Sequence, residues 1–169
     1  MKRVLSDCEE EEEDDSDELP SCGYTLIENF ITPSHMLSSD IKRMQPQDME
    51  DKDRVLHCVR INIDPESSYG LLVGKCVAWS WEHRPMFFMT TPCILYSKAH
   101  CEEYEWPREM ALRQLCLVAL KEGTFIFRGK QRFDMNVGDL FVCDSNVPVT
   151  LPEMTTNHYL LVFCLNERK

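Results

Sequence analysis

Glycine is scarce, six residues in 169, and none is arranged as a Walker or dinucleotide loop, so phosphate-cradling chemistry has no local signature. No apolar run nears the roughly 20 residues that cross a bilayer, and the charged first residues do not read as a secretory leader. A membrane partner is therefore not expected. Among nine cysteines there is no C-x-x-C pair, and among five histidines no H-x-H. A G-x-S-x-G nucleophile elbow is missing too. There is no strongly basic stretch, which argues against nucleic acid as a partner. Together these absences leave no motif for a hydrolase, a nucleotide enzyme or a metalloenzyme. The sequence reading is accordingly a non-enzyme with no catalytic residues and no cofactor.

Charge of one sign is abundant, but in one place. The formal net charge is −11, and ten acids fall within residues 1–18 against Lys2 and Arg3, leaving nineteen acids, sixteen bases and a net of −3 for the rest. Ten like charges with only Val4 and Leu5 as apolar neighbours cannot offset the entropy of ordering. Residues 1–20 are expected to be a disordered acidic tail, and residues 21–169 a single β-rich domain.

The cysteines fall largely inside apolar runs (Cys76, Cys116, Cys143, Cys164), the pattern of reduced, buried thiols and not of a secreted disulfide framework. Zinc is the one metal to weigh. His57-Cys58 and His100-Cys101, with Cys93 nearby, offer thiolate and imidazole. Adjacent strand residues point to opposite faces, and the usual ligand spacings are missing, so structural cysteines are the better account. His83, His100 and His158 stand singly. A metal-dependent cupin enzyme, needing several such ligands at fixed spacing, is the least favoured reading.

Along the body, Tyr24 to Ile31 is β-branched and aromatic, and Ser34 or Ser38 can cap a short helix through Met44. Residues 45–53 form a polar loop. Val55 to Ile63 alternates apolar and polar as a half-buried strand does. Leu71 to Trp81 reads as a strand pair, or one long strand bulged at Gly74. From Arg108 onward short apolar runs alternate with turns at Lys121-Glu122-Gly123, Arg128-Gly129-Lys130, Val137-Gly138-Asp139 and Asp144-Ser145-Asn146. This punctuation predicts a mainly β fold: a compact antiparallel β-sandwich or cupin-like barrel with one or two short helices. The stretch from Glu122 to Leu151, in which a Gly-Asp turn introduces a strand, is similar to the second half of a cupin barrel.

Two constellations could bind a partner. Arg128, Lys130 and Arg132 alternate and would line one strand face if the strand ran straight through them. Ala111, Leu112, Cys116 and Leu120 satisfy the spacing of an elongin-C-binding box, which works only if a helix aligns Leu112, Cys116 and Leu120. Leu115 to Leu120 is also a continuous apolar run, as a strand buried on both faces would be. The residues favour an irregular or helical segment to about Arg113 and strand from Leu115 to Leu120, which would bury Cys116 and leave the box a coincidence.

The block Gly23-Tyr-Thr-Leu-Ile-Glu-Asn-Phe-Ile-Thr-Pro33, the segment Val73 to Trp81 and the stretch from Trp106 to Lys130 resemble the adenovirus early-region-four 34-kilodalton protein family. That resemblance implies a viral early regulatory adaptor of the host nucleus and cytoplasm, without catalytic activity. It would recruit elongin B and C with a cullin, often beside a second viral early protein, to degrade host defence proteins. Ala111, Leu112, Cys116 and Leu120 would then be the elongin contact. The alternative expectation is a non-catalytic cupin-like interaction or oligomerisation module.

Overall fold

The computed structural model describes residues 4–5, 23–32, 54–58, 68–90, 92–106, 114–144 and 146–168. The helix expected before Met44, the loop at 45–53, the strand residues beyond Cys58 and the segment 107–113 lie outside these. The described elements are β1 (Val4–Leu5), β2 (Tyr24–Ile27), β3 (Arg54–Cys58), α1 (Ser68–His83), β4 (Phe87–Met89), β5 (Cys93–Ser97), β6 (Tyr104–Glu105), β7 (Gln114–Ala119), β8 (Thr124–Arg128), β9 (Gln131–Met135), β10 (Leu140–Asp144), β11 (Val149–Leu151) and β12 (His158–Glu167).

The uninterrupted run after Gln114 goes where such a run must. β7 is buried along its whole length and is hydrogen-bonded on one side to β10 and on the other to β12. The larger sheet runs β1-β2-β10-β7-β12-β5-β3, with β4 pairing β12. A smaller sheet runs β6-β11-β8-β9. Every pairing among the described strands is antiparallel.

Because successive side chains of a strand point to opposite faces, β7, β10 and β12 each serve two cores. Leu115, Leu117, Phe141, Leu160 and Val162 face the smaller sheet and meet Ile126, Phe133, Met135, Val149 and Leu151. Cys116, Val118, Leu140, Leu161 and Phe163 face the other way and pack on Leu72, Cys76 and Trp79 of α1. Each fully buried Leu or Phe is worth about 1.5–3 kcal/mol. The two layers draw on the same strands, so neither core forms without the other. The expected antiparallel sandwich or barrel is the fold observed.

Leu71 to Trp81 is a correction. It is helix, not strand. Leu72, Cys76 and Trp79 recur at spacings of four and three and are buried, whereas Leu71 is 64% and Trp81 62% exposed. That is the helical period, hidden because the apolar residues on the outer face fill the gaps in the pattern. In the β-branched and aromatic stretch from Tyr24 to Ile31, the strand is short. It ends at Ile27, and Asn29 takes a left-handed φ of 52°, turning Phe30 and Ile31 down into the core under α1. Within the expected tail, Val4–Leu5 pairs with Ile27 and Leu26 of β2; the neighbouring acids are outside the described residues.

The Gly-Asp turn before β10 joins three segments. Gly138 has a φ of 91°, and a Cβ there would lie 1.9 Å from the Ile31 carbonyl oxygen. The Ile31 N–H donates to the Gly138 carbonyl at 2.9 Å, and the Gly138 N–H donates to that of Ala119 at 2.8 Å. Asp139, 1% exposed, accepts from the Asn29 N–H at 2.9 Å and the Asn136 N–H at 2.8 Å.

Gly123 shares the left-handed backbone, with a φ of 75°, but has nothing within 4 Å of an added Cβ. Gly123→Ala should therefore cost about 1–2 kcal/mol, the left-handed penalty alone. Gly138→Ala adds a backbone clash and should cost more than about 3 kcal/mol. Urea melts of the two variants check this; equal losses would show that the Ile31 turn yields freely.

Candidate functional site: the Arg128 end of the barrel

β8 buries Thr124 and Ile126 on its inner face, so Arg128, two residues on, is aimed into the end of the space between the sheets. Its guanidinium lies 5.7 Å from the centre of the Tyr24 ring and donates to Asn146 Oδ1 at 3.4 Å. Gly23 makes room for it: a Cβ there would sit 2.8 Å from Arg128 Nη2 and 3.1 Å from Asp144 Oδ2. Val149 of β11 is the register partner of Arg128. On the far side of β11, the Trp106 N–H donates to the Val149 carbonyl at 3.0 Å. Trp106 is 8% exposed, stands edge-on to Tyr104 at 5.3 Å, and its indole Nε1 has no hydrogen-bond acceptor among the described residues.

Both signs of charge meet here under partial burial. Burial pushes the Asp144 carboxyl above its ordinary value, and the attraction of Arg128 and then Arg84 opposes it. Burial also pushes the Cys143 thiol up to about 12 against the pull of Arg128. Cys76 is likewise at about 12 and Cys164 at about 11, both through burial, and Cys116 is raised well above the usual thiol range. These cysteines are neutral packing groups and not nucleophiles.

The residues singled out from sequence are scattered. Arg128, Lys130 and Arg132 do not form one basic face, because the hairpin turn at Gly129 and Lys130 ends one strand and begins the next. Arg128 points inward, and Arg132 lies outside, 2.7 Å from Asp134 Oδ1 and 3.8 Å from the centre of the Phe125 ring. The elongin-like box also fails. Cys116 is 0% exposed in β7 and Leu120 is 6% exposed just beyond it, and although residues four apart in a strand share a face, they lie about 13 Å apart instead of one helical turn. Ala111 and Leu112 fall outside the described residues.

His83 closes α1 with Nδ1 3.1 Å from the Trp79 carbonyl, and His100 faces Glu153 at 3.4 Å on the surface. The His158 ring is buried between the carbonyls of Thr156 at 3.1 Å and Gly123 at 3.4 Å. Tyr24, Trp106 and Asp144 were not found by sequence reasoning. They stand far apart in the chain, and only the sheet register brings them to one end of the barrel.

No protein-family model and no curated protein sequence matches the chain. Solved structures do match. A collagen prolyl hydroxylase of Paramecium bursaria Chlorella virus-1 shares 12% identity at a TM-score of 0.63, over 95% of this chain and 99% of that one. A Trichoplax adhaerens prolyl hydroxylase, solved with a hypoxia-inducible-factor peptide, shares 10% at 0.65, over 87% and 84%. An oxidoreductase of the 2OG-Fe(II) oxygenase family from Burkholderia pseudomallei shares 11% at 0.62, over 88% and 86%.

At this identity the likeness establishes the fold, a double-stranded β-helix of cupin-like build. It also overturns three expectations. The reading as a viral adaptor or non-catalytic module, the assignment as a non-enzyme, and the absence of any cofactor other than zinc all run against neighbours that are hydroxylases and oxygenases.

Non-haem iron(II) in oxygenases is held by two imidazoles and a carboxylate. The described residues do not fit that group. The inner face is lined mainly by Leu, Ile, Val, Phe and Met, with Tyr24, Trp106 and Cys143 among them. His83, His100 and His158 occupy three separate places, and no three metal-binding side chains gather among the described residues. The polar groups of Arg128, Asp144 and Asn146 gather at one end, above the buried rings of Tyr24 and Trp106.

The Asp144 carboxyl, raised in the folded state, binds its proton more tightly there than in the unfolded chain. Its ionised form therefore costs stability at neutral pH, and that cost is relieved as pH falls through the folded value. Asp144→Asn should melt at or above the parent temperature at pH 7, and the gap should close toward pH 4. A clearly lower melting temperature at pH 7 would mean that the Arg128 attraction outweighs burial.

Proposed function

We propose that this protein acts on a polypeptide, which it takes across the Arg128 end of its barrel. The observation that carries the reading is the mixed set of groups there. The Arg128 guanidinium can donate to backbone carbonyls, Asp144 and Asn146 can accept from backbone N–H groups, and the rings of Tyr24 and Trp106 lie buried beneath them. A small anion would be repelled by Asp144. A peptide, with donors and acceptors in alternation, suits both signs.

The fold likeness supports the same class of ligand, since two of the neighbours are prolyl hydroxylases, one named for collagen and one solved with a peptide. The iron ligands of an oxygenase are not among the described residues, and the reading is accordingly anchored in substrate binding.

A peptide array that includes proline-rich segments, followed by affinity measurement on the retained peptides, tests this. Arg128→Met should weaken retention roughly tenfold to a hundredfold, the worth of a hydrogen bond to a charged group. Asn146→Leu, which loses the exposed acceptor beside Arg128, should weaken it by several-fold. Retention unaffected by either change would sink the assignment. With iron(II), 2-oxoglutarate and oxygen supplied, the mass of a retained peptide reports oxygen transfer directly.

A further inference from the structure

Apart from the β1–β2 end, the described strands leave outer edges at β3, β4, β6 and β9; β4, three residues long, is uncharged, and the other three carry charge. β3 begins with Arg54, β6 ends in Glu105, and β9 presents Arg132 and Asp134. Charged residues on an edge discourage pairing with another strand. β2 has none: it reads Tyr-Thr-Leu-Ile, with Tyr24 and Leu26 buried in the inner core. The chain covers this four-residue uncharged edge, with Val4–Leu5 laid antiparallel so that Val4 pairs Ile27 and Leu5 pairs Leu26.

We propose that the outer edge of β2 is a strand-docking site whose resident occupant is the chain's own Val4–Leu5 segment, held exchangeably. Two residue pairs supply only a few hydrogen bonds, each worth about 0.5–1.5 kcal/mol net. Against them stands the closure of an eighteen-residue connection, residues 6–23, which contains all ten acids of the first 18 residues and whose like charges repel. Tethering gives the segment an effective concentration in the millimolar range, enough to keep a weak pairing mostly formed yet open to competition. The edge therefore fits an extended, apolar, uncharged dipeptide segment that adds one strand through its main chain, the β-augmentation mode. This site lies on the larger sheet and is independent of the Arg128 assignment.

The test uses the full chain. Val4→Pro/Leu5→Pro removes two main-chain donors and cannot sustain the pairing. Leu26 and Ile27 are adjacent in an antiparallel strand, so their N–H groups point to opposite sides, one toward β1 and one toward β10. In the double variant one of these two amides should exchange with deuterium at least tenfold faster, while the other keeps its protection from β10 and reports that the sheet is intact. Adding a synthetic peptide of residues 1–6 should restore the lost protection. Unchanged exchange at both amides, or no restoration at millimolar peptide, overturns the proposal. So does protection in the parent chain that rises with protein concentration alongside dimer formation, because the occupant would then be a second copy.

Discussion

Three stretches of chain meet at the turn before β10, and the two-core architecture rests on that meeting. Gly138 lies so close to the Ile31 carbonyl that no Cβ fits. Its own N–H and carbonyl tie Ala119 and Ile31 together. Asp139 then uses both carboxylate oxygens on backbone N–H groups from either side of the junction. A buried carboxylate is tolerated only when so paired. The junction fixes where β7 ends, where β10 begins and how the chain leaves β2, and so sets the register of the central strands. Once that register is set, alternation decides which residues face α1 and which face the smaller sheet.

The same register builds the Arg128 end. Arg128 belongs to β8, Trp106 follows β6, Tyr24 opens β2 and Asp144 closes β10, and they converge because the two sheets present those strand ends together. Hydroxylases and oxygenases share this fold, yet the described interior is mostly hydrocarbon. A double-stranded β-helix is a scaffold on which sites are grafted. Here the polar groups gather at the mouth, and the depth of the barrel is spent on packing. Hydrocarbon dominates the described interior and contributes stability, and the buried His158, Asp139 and thiols stand apart, so that no three metal-binding side chains gather among the described residues.

The neutral thiols follow from the same packing. Cys76 and Cys116 lie in the core beneath α1, and Cys143 and Cys164 lie toward the smaller sheet. Desolvation dominates all four. Cysteine here behaves as a small apolar residue, which is why the density of cysteines in the sequence carries no metal or redox meaning at these positions.

The sequence by itself determined the β character of the second half. Leu115 to Leu120, Thr124 to Phe127, Leu140 to Cys143 and His158 to Leu165 are bounded by turn residues whose conformational demands are local, and such signals survive without tertiary context. It also determined that Cys116 lies in a strand, because a run without polar residues is stable only when both faces are covered. What it could not determine was the helix at Leu71 to Trp81. There a buried face at helical spacing and an outer face that is partly apolar superimpose into a run interrupted only at Gly74, Lys75 and Ser80, and only packing against the larger sheet selects the helix. Nor could it bring together Tyr24, Trp106, Arg128 and Asp144. Their proximity depends on strand order across two sheets, a long-range property with no trace in local spacing, and the tertiary structure alone decided it.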